Sequence, residues 1–175
     1  MATNRFFVAN RSFLLGRAYF ELGKLNGAGA CQSREACFEK AASELELDTA
    51  ARAAGKFRDE YVFLRASVYL AWDQSTLARR DLEFLRESPE FGALARQELG
   101  DMFLSDAKRH LGPPLTLPGI LAARVAYRSA ISAPTAALAG QLGIAETFLL
   151  EAGLVHELAD RRARYADAAR EFGQV

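Results

Sequence analysis

Apolar residues recur at three- and four-residue spacing along almost the whole chain, the period of a helix with one buried face. No stretch alternates in the two-residue rhythm of a strand, and Ala, Leu, Glu and Arg, all good helix formers, fill the intervals. The pattern predicts a first helix over roughly residues 5–22, ended by Gly23 and the Asn26-Gly27-Ala28-Gly29 segment. A second helix carries Cys37, Phe38, Ala41, Ala42 and Leu45 as its buried stripe. Ser33 suits its N-cap, because Glu35 and Glu39 follow where a carboxylate meets the positive end of the helix. It ends near Leu47, with Asp48 or Thr49 as the next cap, and a third helix spans about 50–72 with Phe57, Tyr61, Leu64 and Val68 along one stripe.

Asp73 or Ser75 opens a fourth helix that stops before Ser88-Pro89, and a fifth runs from about Pro89 to Leu111. Gly112-Pro113-Pro114 ends it, since neither proline can donate a backbone hydrogen bond. Leu115 to Leu117 then read as a short apolar loop, folded over its hairpin or, if exposed, a docking site, and Pro118 as the start of the sixth helix. Pro134 separates the sixth from the seventh, and Ala152-Gly153 separates the seventh from the eighth, which ends near Phe172. The expected fold is all-α, with eight helices in about four antiparallel hairpins and a single domain over residues 1–175.

The hairpins repeat one another. Ala66 and Tyr69 share a face of the third helix, Ala78, Leu82 and Leu85 share a face of the fourth, and Pro89 closes the unit. Leu15-Gly16 with Tyr19, Leu99-Gly100 with Phe103, and Ile144-Ala145 with Phe148 echo the first half of that signature. Phe38 with Ala41, Tyr127 with Ala130, and Tyr165 with Ala168 match Leu82 with Leu85, and Ala123 corresponds to Ala78. This order of small, aromatic, small and large residues resembles the tetratricopeptide repeat, a helix-turn-helix motif of about 34 residues. Only the second unit has the family's 12-residue step, from Ala66 to Ala78. The step is 18 from Gly16 to Arg34, 23 from Gly100 to Ala123 and 16 from Ala145 to Arg161, and the signature Trp is absent from its usual place.

The resemblance implies a superhelical array whose concave face, lined mainly by first helices, binds another protein. Its groove positions fall on Asn10, Phe13, Arg17 and Phe20, then on Glu60, Phe63, Ser67 and Leu70, then on Leu94, Gln97, Asp101 and Leu104, and last on Leu142, Glu146 and Leu149. Such a face would bind a peptide or helix through apolar anchors, making the chain a non-catalytic scaffold or adaptor of the co-chaperone type. Phe13, Phe20 and Phe63 fit equally well as core residues. Chaperone-binding members hold a terminal carboxylate with Lys and Asn at matching positions. Here Phe13, Phe63, Ser67, Gln97 and Asp101 stand there, and only Arg17 suits that role. The alternatives are a small-molecule-binding bundle with a closed apolar pocket, or a self-assembling one. An exposed Tyr165 or Phe172 on the last helix would point to a homo-oligomer.

Composition narrows the chemistry. Lys and Arg together number 22 and so do Asp and Glu, which argues against a nucleic-acid or anionic-membrane partner. Asp160, Asp167 and Glu171 interrupt the basic run Arg161, Arg162 and Arg164 at helical spacing, as on an ion-paired surface. The only histidines are His110 and His156, neither in a Glu-x-x-His arrangement, and no phosphate loop or nucleophile elbow occurs. No enzyme activity, cofactor or metal is therefore expected. The two cysteines read as a core residue, Cys37, and a loop thiol, Cys31, too few ligands for zinc. With no leader-like or membrane-spanning apolar run, the expected setting is the cytoplasm. If the repeat register is right, Tyr69→Ala costs roughly 3–5 kcal/mol in denaturant unfolding. A loss below about 1 kcal/mol would refute the register.

Overall fold

The computed structural model describes residues 2–25, 31–46, 58–109 and 113–174, with side chains from Arg11 onward in the first helix and from Leu117 onward in the sixth. Among the described residues the only regular elements are eight α-helices. They are α1 (Ala2–Lys24), α2 (Arg34–Glu46), α3 (Arg58–Ala71), α4 (Ser75–Leu85), α5 (Gly92–Arg109), α6 (Pro113–Ala130), α7 (Pro134–Leu154) and α8 (Leu158–Phe172). The all-α class and the helix count agree with the periodicity. Residues 50–57, expected in the third helix, and the expected caps Asp48 and Thr49 lie outside the described residues. No described helix is long and apolar enough to cross a membrane. The chain divides into two compact units, Met1–Leu85 with α1 to α4 and Arg86–Val175 with α5 to α8.

Within each unit, consecutive helices pair as antiparallel hairpins. In the first, Gly16 meets Leu45 while Gly23 meets Phe38, so α1 and α2 run in opposite directions. Arg65 bonds Asp81 while Arg58 stacks on Phe84, which sets the same sense for α3 against α4. The two hairpins join where α1 and α2 both touch α3. The second unit repeats the scheme with α5 against α6, α7 against α8, and α7 packed on both α5 and α6.

Local chemistry explains most helix ends. Ser33 caps α2 as expected, its Oγ accepting the Ala36 N–H at 3.1 Å. Hydrogen bonds from its own backbone N–H and from Ser33 hold the Glu35 carboxyl below the usual carboxylate range. Asp73 does not open α4; it closes α3. At φ 58° it takes the left-handed conformation, its N–H reaches the Leu70 carbonyl at 3.2 Å, and the Gln74 N–H reaches the Tyr69 carbonyl at 2.8 Å. This is a Schellman termination. Ser88 Oγ accepts the Phe91 N–H at 3.2 Å just ahead of α5.

Four further expectations are corrected. Gly23 does not end α1, which continues to Lys24. The glycine is buried in the helix because a Cβ there would lie 2.5 Å from Phe38 Cε1. The segment 113–118 is not a loop, since α6 begins at Pro113. Prolines at the first two helical positions sacrifice nothing, because those N–H groups have no intrahelical acceptor. Pro118, inside α6, gives up a single bond near its start. Cys31 is not a free thiol, because it forms a disulfide with Cys37 across a Cα–Cα distance of 5.4 Å. Closing so short a loop contributes about 2 kcal/mol on a chain-entropy estimate. The break after α7 also falls later than Ala152-Gly153, at residues 155–157.

The core of the first unit includes Phe38, Ala41, Leu45, Ala66, Val68, Tyr69, Ala78, Leu82 and Leu85, all at most 2% exposed. In the second, Leu104, Ala123, Tyr127, Ile144, Phe148 and Ala168 form one cluster. Tyr127 is its centre. Gly100 on α5 and Gly143 on α7 both face its ring, and a Cβ at either position would lie within 2.6 Å of a ring carbon. Gly153 has nothing within 4 Å. Gly153→Ala is therefore expected to raise unfolding free energy by about 0.5–1 kcal/mol through helix propensity. Gly143→Ala should lower it, since overpacking costs about 1–3 kcal/mol against the same gain. In a Tyr127→Leu background, the effect of Gly143→Ala should turn stabilising. Chemical denaturation of the four variants reads these signs, and equal effects at both glycines would refute the packing argument.

Candidate functional site

The most chemically defined surface lies in the second unit, where α5 and α7 run side by side. Gln97, Asp101 and Lys108 share a face of α5 by their spacing of four and seven residues. Lys108 Nζ donates to Glu146 on α7 at 2.5 Å, tying the two helices together through groups that remain nearly half exposed. Asp101 accepts the Tyr127 hydroxyl at 2.6 Å. The ring of Tyr127 approaches from α6 between the two glycines, so a buried core residue places its polar end at the surface of α5. Burial and then the Asp101 carboxylate push the phenol far above its ordinary range, so it stays a protonated donor.

Glu98 adjoins Asp101 on α5. Burial, then the neighbouring Asp101 charge, raises its carboxyl above the usual range. On α7, Leu138, Leu142 and Leu149 lie along one stripe beside Glu146 and are 59%, 41% and 40% exposed. The surface thus combines an apolar stripe on α7 with Glu146, which is paired to Lys108, and with Asp101 on α5. It can bury aliphatic side chains and attract cationic ones.

The expected groove residues separate into two sets. Gln97, Asp101, Leu142, Glu146 and Leu149 belong to this surface, whereas Leu104 is no groove residue because it is buried in the core cluster around Tyr127. In the first unit, Arg17 is exposed and Glu60 half-buried. Phe13 packs on Tyr61 at 5.0 Å between ring centroids, and Phe20 on Phe38 at 6.1 Å, so both rings help fill the spaces between helices. Phe63 is half-buried, and the Ser67 hydroxyl donates to its carbonyl at 3.0 Å, one turn back along the helix. The side chain of Asn10 lies outside the described residues. Sequence reasoning named neither Glu98 nor Leu138 among the site residues. Leu138 was findable, because it stands one helical turn before Leu142. The burial of Glu98 depends on tertiary packing and left no local signal.

Other candidate chemistry is less concentrated. His156 is exposed between α7 and α8, and His110 lies outside the described residues. Arg164 pairs with Glu151 and Asp167, and Arg170 pairs with Asp167. Arg161 donates to the Val155 carbonyl, so much of the basic run on α8 is tied within the unit. No group of three or more potential metal ligands occurs among the described residues. Comparisons with protein-family models, curated proteins and solved structures give no match.

The electrostatics of Glu98 have a measurable consequence. Its folded pKa is raised, so the folded state holds a proton that the unfolded state has released, and stability falls as pH rises through that window. Glu98→Gln is expected to raise the melting temperature at neutral pH, with the advantage shrinking below pH 4.5, where both states are protonated. A pH-independent difference between variant and parent would contradict this account.

Proposed function

We propose that the chain is a non-catalytic protein-interaction scaffold of tetratricopeptide-like hairpins, and that the α5–α7 face of the second unit binds an amphipathic segment carrying basic residues. The observation that carries the reading is the make-up of α7. Its 21 residues include only two charges, Glu146 and Glu151. A helix apolar on nearly every side belongs where both faces are covered. One face of α7 is covered within the unit through Gly140, Gly143, Ile144, Thr147 and Phe148, while Leu138, Leu142 and Leu149 remain in water. Three aligned leucines on the helix that carries Glu146, with Asp101 on the neighbouring α5, favour an occupant with aliphatic anchors and Lys or Arg flanks.

The repeat reading has support in burial. Ala66, Tyr69, Ala78, Leu82 and Leu85, then Gly100, Ala123, Tyr127 and Ala130, then Ala145, Phe148 and Ala168 are all buried. A cytoplasmic setting, expected from the sequence, sits uneasily with the Cys31–Cys37 bridge, because cytosolic thiols are kept reduced.

Selection from a displayed library of random peptides tests the proposal. Enriched binders should combine aliphatic residues with Lys or Arg, weaken as salt rises, and lose at least about tenfold in affinity, near 1.4 kcal/mol, against Leu142→Glu. Val125→Glu, at an exposed position of α6, should leave binding unchanged. A library that yields no such consensus, or binders indifferent to Leu142→Glu, would overturn it.

A further inference from the structure

The last helix leaves an apolar stripe uncovered. Leu158, Tyr165 and Phe172 stand seven residues apart on α8 and are 61%, 50% and 43% exposed. Seven residues are almost two helical turns, so the three side chains line one face, with Ala169 and Arg162 beside them. The flank of the helix that adjoins the stripe is occupied within the unit. Ala168 is buried, Arg164 bonds Glu151, and Glu171 accepts from Gln141. Tyr165 corresponds in the repeat pattern to Tyr127, which Gly143 of the following helix covers. At Tyr165 the equivalent surface is half exposed.

We propose that this stripe is a self-association surface, on which α8 pairs with α8 of a second copy, antiparallel and about a two-fold axis at Tyr165. Two features of the stripe select a second copy. Its spacing is symmetric, so reversing the helix about Tyr165 returns the same pattern, with Tyr165 against Tyr165 and Leu158 against Phe172 of the other copy. An isologous contact needs this self-complementarity. Charge points the same way. Arg162 lies near the N-terminus of α8 and has no ion-pair partner among the described residues. An antiparallel neighbour brings its own C-terminal turn there, the negative end of a helix dipole. A parallel neighbour would instead oppose Arg162 with Arg162 and stack the two positive N-termini.

The acidic residues Asp160 and Asp167 lie on the far side of α8, where Asp167 is engaged by Arg164 and Arg170. An antiparallel pair therefore opposes no like charges across the seam. Three side chains per copy make a small interface, below the roughly 1,200–2,000 Å² of stable complexes, so the association is weak and concentration-dependent. It uses α8 alone and does not depend on the α5–α7 face.

Cysteine cross-linking on the intact chain tests the geometry, with the native disulfide closed and a short bismaleimide as the probe. Tyr165→Cys should cross-link to a dimer. Leu158→Cys and Phe172→Cys should cross-link when mixed but not when each is alone. In the antiparallel pair, like positions at the ends of the stripe sit about 21 Å apart, 14 residues at 1.5 Å each. Sedimentation equilibrium of the parent should show mass rising with concentration, and Tyr165→Glu or Leu158→Glu should weaken dimerisation at least about tenfold. Both positions are exposed, and circular dichroism checks that the variants stay folded. A parent that remains monomeric at millimolar concentration, as it would if α8 serves a different protein, overturns the proposal. So does efficient cross-linking of Leu158→Cys alone, the mark of a parallel pair, or dimerisation indifferent to both Glu variants.

Discussion

Close approach of helix backbones, with a glycine facing a large side chain, is the constraint on which the rest of this structure depends. Gly16 faces Leu45, Gly23 faces Phe38, and Gly100 and Gly143 face Tyr127. A glycine inside a helix costs about 1 kcal/mol relative to alanine, and at these four positions the missing Cβ offsets that cost by letting a large neighbour in. In the second unit the consequences reach the surface. The ring of Tyr127 passes between α5 and α7 because both present a glycine, and its hydroxyl then meets Asp101. Burial, and then the Asp101 charge held at that point, raise the neighbouring Glu98 carboxyl. The electrostatic character of the α5–α7 face is in this sense a product of core packing.

Each unit also buries one arginine against one carboxylate between adjacent helices. Arg65 donates to both oxygens of Asp81, at 2.6 and 2.7 Å. Arg124 donates to Thr147 and Glu151, lies 3.7 Å from the Phe148 ring centroid, and shares Glu151 with Arg164. Taking such groups out of water is expensive, and the ion pair at best offsets that cost. Their effect is on register. A helix slipped by one turn would leave an unpaired buried charge, a penalty of several kcal/mol that apolar contacts, being adaptable, do not impose. Small-for-large packing lets the helices approach, and the ion pairs fix how far each has slid along its neighbour.

Helix type, number and buried faces were legible in the sequence because each is written in a short-range period. The Ser33 cap and the Pro134 break depend on single residues and were equally clear. What escaped depended on partners distant in sequence. Gly23 looks like a stop signal until Phe38, fifteen residues on, is seen against it. Pro113 and Pro114 are equally compatible with ending one helix or beginning the next, and the choice rests on backbone geometry that neither encodes. Arg65 and Asp81 read as ordinary charges, since nothing local marks them as a pair. The groove positions mixed both cases. Asp101 and Glu146 follow from register alone, whereas the packing of Phe13 and Phe20 against Tyr61 and Phe38 is a tertiary fact.

The exposed leucines of α7 set a limit on how the second unit can recognise anything. Fully burying a leucine contributes about 1.5–3 kcal/mol, and Leu138, Leu142 and Leu149 are already about half covered, leaving roughly 2–4 kcal/mol between them. Micromolar affinity needs about 8 kcal/mol, net of the cost of immobilising the partner. The apolar ridge therefore cannot hold a partner by itself. On the proposed reading the remainder comes from charge and hydrogen bonding at Asp101 and Glu146, which would also discriminate one segment from another. The stripe on α8 faces the same shortage with few free charges beside it. A two-fold contact answers that shortage differently, because every pairing off the axis, such as Leu158 with Phe172, then occurs twice. On the proposed readings the two surfaces differ accordingly: α5–α7 would choose among partners, and α8 would meet its own copy.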